Sequence, residues 1–243
     1  MTSVTVVPTT TLVRGARSTH TTVAWKMLMA VTGVIFLIYV LLHMYGNLKA
    51  FAGHDAYNDY AEHLRTLGEP MLPYSGFLWV LRAVLIVALV LHVWAALKLW
   101  VRARRARGVR YQVKKNPSST PASRFMRWGG LALLLFVVWH LINFTIGKVN
   151  VTGGPTNDPY NLLVDSFSTW WLTLIYLLAM VALGLHLWHG VWSAAQTLGV
   201  TNNARARRNA KVGGVVAAVV IAGGFALVPL FILAGVITKG AQP

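Results

Sequence analysis

The chain contains no cysteine, which excludes disulfides, thiolate metal sites and cysteine-ligated iron–sulfur clusters. Histidine, with eight copies, is then the only strong soft-metal ligand present in number, so any redox cofactor here would be histidine-bound. Charge is scarce as well: 12% of the residues are charged, and only six carry carboxylates. With 56% hydrophobic residues in 243, this composition does not describe a soluble surface and places the chain in a bilayer. No internal repeat of the kind that builds solenoids or arrays is visible.

Crossing about 30 Å of hydrocarbon takes about 20 helical residues. Five apolar runs are long enough: Trp25–Gly46, Phe77–Trp100, Trp128–Gly147, Trp170–Thr197 and Val212–Ile237. The expected fold is therefore an all-α integral membrane protein with five transmembrane helices. Residues 1–24 are polar and lack an apolar core followed by a small-residue cleavage site, so they are expected to form a cytoplasmic tail, not a cleaved signal peptide. Residues 238–243 form a short external C-terminus on this reading.

The few charges are sorted by side. Segment Arg102–Arg127 holds nine basic residues and no carboxylate, Arg205–Lys211 holds four, and the N-terminal tail adds Arg14 and Arg17. By the positive-inside rule these face the cytoplasm. All six carboxylates, Asp55, Asp59, Glu62, Glu69, Asp158 and Asp165, fall in the two alternate loops, which an N-inside chain of five spans places outside. The net charge of +16 is thus an orientation signal, with attraction to anionic lipid or a cytoplasmic partner, and nucleic acid is not the expected ligand. Trp25, Trp79, Trp100, Trp128, Trp170 and Trp171 cluster near span ends, as an interfacial aromatic belt does. In the first outer loop, Tyr57, Tyr60, Ala61 and Leu64 recur at helical spacing before Gly68 and Pro70, which predicts a short interfacial helix.

Five histidines, His43, His92, His140, His186 and His189, lie inside the predicted spans, where ionisable side chains are rare and usually functional. A lone histidine there is more often packing glue between helices, but four separate helices each carrying one shift the balance. At 1.5 Å rise per residue, His43 lies about 25 Å from Lys26, His140 about 20 Å from Arg127, and His92 only about 15 Å from Arg102. His186 lies near the inner end of its span. Two depths result, His43 with His140 toward the outside and His92 with His186 toward the inside. Two bis-histidine b-type haems stacked in a four-helix bundle need this arrangement, with the fifth helix packed outside. His189, three residues from His186, is the rival ligand. Gly190, one turn after His186 on the same face, would let a flat macrocycle lie against the backbone, and Gly46 and Gly184 are weaker candidates for the same role.

These residues resemble a family. HMYGN at the end of the first span, AYNDYAEHLR and LGEP in the outer loop, one histidine in each of the next two spans, and HLWHGVWSAAQTLGV closing the fourth are similar to the cytochrome b subunit of succinate dehydrogenases and fumarate reductases, in its five-helix di-haem form. The resemblance implies that His43, His140, His92 and His186 are axial haem ligands, paired first helix with third and second with fourth. It implies two haem b groups, and a flavoprotein and an iron–sulfur subunit as partners, the latter docked on the basic face. Electrons would pass to a membrane quinone, with menaquinone the expected species, in a bacterial cytoplasmic membrane. The subunit would not itself act on succinate, and a higher oligomer of the whole complex is compatible with it. Where some fumarate-reducing relatives have a glutamate two residues before the fourth-span ligand, this chain has Gly184, which puts a proton path there in doubt.

Two further sites follow from the residues. Arg82 lies about six residues inside the outer end of the second span, where a charge costs roughly 2.5–3.5 kcal/mol by insertion scales, and it either snorkels or pairs with a propionate of the outer haem. Ser18, His20 and Trp25, at the inner start of the first span, are candidate quinone contacts, although His20 also reads as a solvated tail residue. The alternative from another class is a proton-coupled transporter using the intramembrane histidines as relays, which would be expected to show repeats or broken helices; neither is visible.

Overall fold

The computed structural model describes residues 21–106, 120–146, 149–150 and 156–239. Seven α-helices run in the order α1 Thr22–Leu48, α2 His54–Thr66, α3 Gly76–Arg105, α4 Pro121–Leu141, α5 Pro159–Ser168, α6 Trp170–Thr197 and α7 Ala204–Leu233. Five helical segments are long and apolar enough to cross a membrane: Thr22–Ala52, Gly76–Arg105, Pro121–Ile146, Trp170–Thr197 and Ala204–Leu233. The chain is a multi-pass membrane protein. In hydrocarbon every backbone N–H and C=O must be satisfied within the segment, which is why these apolar stretches become uninterrupted helices.

Their first turns are closed by side chains. Thr21, Thr120, Asp158 and Asn203 accept hydrogen bonds from the backbone N–H groups of Ala24, Ser123, Asn161 and Ala206 at 2.8–3.1 Å. Pro121 and Pro159 stand in the first turns of α4 and α5, where a missing N–H costs nothing. Gly199 and Gly235, at φ +78° and +73°, take the left-handed conformation that ends α6 and α7. The second of these stops α7 four residues before the apolar run through Ile237 ends, so Ala234–Ile237 forms a turn.

The spans pack in the sequence α3 on α1, α1 on α6, and α6 on α4, while α7 lies against α6 and α1. Glycines bring α7 close. A Cβ on Gly214 would stand 2.6 Å from the Trp188 carbonyl oxygen, one on Gly184 would meet Ala222 at 3.4 Å, and one on Gly224 would collide with the Met44 sulfur. Without a hydrophobic drive between helices in lipid, such close backbone approach is what holds them. Trp79, Trp128 and Trp170 are 65–74% exposed, as belt residues are, whereas Trp25 is half-buried.

The end of the bundle opposite the basic segments, the outer end of the sequence expectation, is closed by a cap. The predicted short helix in the first outer loop is α2, and the second outer loop adds α5, which the sequence reading did not anticipate. Tyr160, Leu163, Val164 and Phe167 of α5 are buried with Tyr176 of α6 and Val228 and Ile232 of α7. Two polar groups tie the loops together: Asp158 takes the His54 ring at 2.6 Å and the Asn58 amide at 3.0 Å, and the Asn58 side-chain oxygen accepts from the Tyr160 N–H at 3.1 Å. The C-terminal segment joins them through Tyr160 hydroxyl to the Thr238 carbonyl at 3.0 Å and Lys239 to Asp165 at 2.6 Å.

Candidate functional site: two histidine pairs

The four helices carry His43 (α1), His92 (α3), His140 (α4) and His186 (α6), and their rings meet in two pairs. His43 and His140 stand with ring centres 5.8 Å apart and planes at 82°; His92 and His186 stand 6.2 Å apart at 53°. The partners come from α1 with α4 and from α3 with α6. The ring contacts of the described residues pair His186, not its rival His189, with His92.

This spacing can be tested against a metal. A metal held between two imidazoles sets the ring centres about 6 Å apart, from two metal–nitrogen bonds of about 2 Å and about 1 Å of ring on each side. Both pairs meet that distance. Among the described residues no three His, Asp or Glu side chains converge on one point. A bare ion, which seeks four or more ligands, therefore finds no cage here, whereas two opposed imidazoles suffice for an iron that brings its equatorial ligands in a macrocycle.

Two of the four rings have their orientation fixed by a hydroxyl. Thr32 of α1 gives its own hydrogen to the Leu28 carbonyl at 2.8 Å, and its oxygen lies 2.9 Å from His92 Nδ1. Tyr176 of α6 donates to Asn143 Oδ1 at 2.9 Å, and its oxygen lies 3.4 Å from His140 Nδ1. In both cases the hydroxyl hydrogen is committed elsewhere, so the network assigns the proton to Nδ1 and leaves the Nε2 lone pair free. A free Nε2 is what a metal ligand must present. His43 is held differently, stacked on Tyr39 at 5.4 Å and flanked by Phe225 at 5.6 Å. The Nδ1 of His186 is buried with no hydrogen-bond partner among the described residues.

The backbone is irregular where the outer pair sits. Just after His140 the helix widens into a π-turn over Ile142–Ile146, a feature common at functional sites. Its Asn143 is fully buried and bonds the Val149 carbonyl at 2.8 Å and the Ser166 hydroxyl at 3.4 Å in addition to Tyr176. Sequence reading missed Thr32, Tyr176 and Asn143, because a threonine, a tyrosine or an asparagine in an apolar helix signals nothing until its partner is known.

The glycine roles expected from the sequence change in part. Gly46 clears the Tyr60 ring of α2, to which a Cβ would come within 2.7 Å, and Gly184 packs on Ala222, so neither faces a histidine pair. Nothing lies within 4 Å of the Cβ position of Gly190. The glycines beside the inner rings are instead Gly33, where a Cβ would stand 3.6 Å from His92 Cε1, and Gly130, where one would stand 3.8 Å from His186 Cε1. The fifth span does not simply pack outside: Phe225 of α7 reaches the His43 ring.

Arg82 is half-buried, with its guanidinium 5.0 Å from the centre of the Trp79 ring. Trp25 lies in the first turn of α1 with its indole N–H buried and unpartnered among the described residues. Ser18 and His20 lie outside the described residues.

A bundle of membrane helices that opposes histidines in two pairs, one above the other, defines a class: a membrane-embedded helix bundle built around paired imidazoles. A model of the succinate dehydrogenase/fumarate reductase transmembrane subunit family matches residues 101–225, just over half of the chain, and the chain belongs to that family. No curated protein and no solved structure matches it. The matched stretch contains His140 and His186, while His43 and His92 lie before it.

Proposed function

We propose that this subunit binds two b-type haems, one between His43 and His140 and one between His92 and His186, and relays electrons from an iron–sulfur partner to a membrane quinone. The observation that carries this reading is the pair of histidine pairs, each from facing helices and each at the spacing of a bis-imidazole site. Bound haem supplies one-electron redox chemistry. The chain orients the ligating rings, keeps the Nε2 lone pairs of His92 and His140 free, and surrounds the rings with apolar side chains that limit water. Gly33 and Gly130 leave the inner rings uncrowded, and Phe136, Phe144, Tyr39 and Phe225 wall the outer ones. Arg82 is proposed to neutralise a propionate of the outer haem.

The basic segments 102–127 and 205–211 form the cytoplasmic docking face for the iron–sulfur subunit, in a bacterial cytoplasmic membrane with the N-terminus inside. The quinone, with menaquinone the expected species, is proposed to bind near that face with Ser18, His20 and Trp25. Two features support this position. The buried indole N–H of Trp25 is a donor without a partner, and an apolar groove of about 410 Å³ between α1 and α3 begins at Leu28, one helical turn further on. A quinone needs such a slot with few donors.

Single replacements of His43, His92, His140 or His186 by Ala test the ligand assignment in the purified complex. Each is expected to remove at least one haem per chain by optical quantitation, whereas His189→Ala retains both. Full retention in all four variants would refute the ligands. Trp25→Ala and His20→Ala should impair succinate–quinone turnover and spare succinate oxidation by a soluble dye; equal loss of both activities would indicate failed assembly instead.

A further inference from the structure

The hydroxyl contacts to the histidines cross over between the pairs. Helix α1 gives His43 to the outer pair and Thr32 to His92 of the inner pair; α6 gives His186 to the inner pair and Tyr176 to His140 of the outer pair. Thr32 and His43 are eleven residues apart, about three turns and about 16 Å along the same face of α1. Among the described residues, each pair thus joins one ring anchored through Nδ1 by a hydroxyl, on α3 or α4, to one ring without a hydroxyl contact, on α1 or α6.

We infer that Thr32 and Tyr176 are positioning residues, each setting the tautomer and the ligand strength of one histidine, His92 and His140 respectively, and so tuning the two haems separately. The inference rests on the haem reading above. Thr32 is 3% exposed, and its hydroxyl is bound on both sides, by Leu28 and by His92, so it cannot turn away without leaving a buried group unpaired. The Tyr176 hydroxyl is held by Asn143, which is itself held by the Val149 carbonyl and by Ser166. An acceptor at Nδ1–H raises the basicity of the ligating nitrogen and favours the ferric state. Removing it should raise the potential of the haem concerned and leave the other where it was. The Met29 carbonyl lies beside His92 as a second acceptor, so the Thr32 effect should be the smaller of the two.

The test is a potentiometric titration of haem absorbance, with low-temperature EPR, on the assembled complex carrying Thr32→Val, Thr32→Ser or Tyr176→Phe. The expected result is an upward shift of one wave in Thr32→Val, an upward shift of the other wave in Tyr176→Phe, and wild-type behaviour in Thr32→Ser. A merely structural role would broaden both waves or lose haem, and would not be rescued by serine. Should the valine variant not assemble, Thr32→Ala removes the same hydroxyl. Two haem waves that stay unmoved in a variant overturn the inference for that residue, and the same wave moved by both variants overturns the crossed assignment. A wild-type complex without haem would refute the parent reading and this inference with it.

Discussion

The outer and inner histidine pairs are built from the same residue type at nearly the same spacing, yet their surroundings differ. The outer pair lies among Tyr39, Phe136, Phe144, Tyr176 and Phe225, beneath a cap of two short helices, and is fixed by the buried Tyr176–Asn143–Ser166 chain. The inner pair has one edge-on phenylalanine, Phe36, one threonine, and two glycines beside its rings. Aromatic walls and a satisfied polar network rigidify a site. Glycines leave room for a neighbour. Among the described residues, the pair farther from the basic face is therefore the more enclosed, and the pair nearer the face where a partner and a quinone would arrive is the more open.

Breaking the outer network should have the largest effect. Asn143→Leu leaves the buried Tyr176 hydroxyl without its acceptor, at about 1–3 kcal/mol for that orphaned group, and frees the Val149 carbonyl. Thermal unfolding in detergent should fall by several degrees, and the outer haem should be lost before the inner one on heating. Retention of both haems with an unchanged midpoint would show that the network is incidental to the pair.

The inner pair should respond to bulk instead. A Cβ at Gly130 makes only ordinary contact with His186 at 3.8 Å, so Gly130→Ala should leave the haem count unchanged. Gly130→Leu adds three further carbons beside that ring, and overpacking of this kind costs about 1–3 kcal/mol. Loss of the inner haem alone is the expected result, read by optical quantitation and by the surviving redox wave.

The smallest effect belongs to the cap. Hydrogen bonds to Asp55 and then to Asp158 raise the His54 imidazole above its ordinary value. Burial pushes the Asp158 carboxyl up, but the Asn161 N–H, Asn58 and His54 outweigh it and hold it below the usual range. The His54 contribution is full below about pH 6.5 and is lost as pH rises through its raised value. The Asp158 contribution is full above about pH 3.9 and is lost as pH falls through its lowered value. The latch is therefore strongest between about pH 4 and 6.5. Amide exchange in α2 and α5 should quicken from pH 6 to 9 beyond the intrinsic base catalysis, and His54→Gln should abolish that excess while leaving the haem spectra unchanged.

The sequence announced the spans and the two histidine pairs more clearly than the cap. Five apolar runs, one-sided basic loops and one histidine in each of four spans are long-range patterns, and a bilayer enforces them residue by residue. Helix α5 escaped because it is only ten residues long and sits between two spans. Its signals were present: Asp158 followed by Pro159 marks a helix start, and Tyr160, Leu163, Val164 and Phe167 repeat at helical spacing. Thr32, Gly33 and Gly130 were not legible at all, since each acts only through a residue more than fifty positions away. The partner of Gly46 was hidden for the same reason, Tyr60 being supplied by the fold of α2 back onto α1.

Haem quantitation of the purified wild-type complex, with the iron-to-chain ratio and EPR of the oxidised protein, tests the central claim most directly. Two low-spin, bis-histidine b-type haems per chain, titrating as two separate waves, are the predicted result. A fully assembled wild-type complex with no haem, or with only one haem per chain, would contradict the assignment of one haem to each pair.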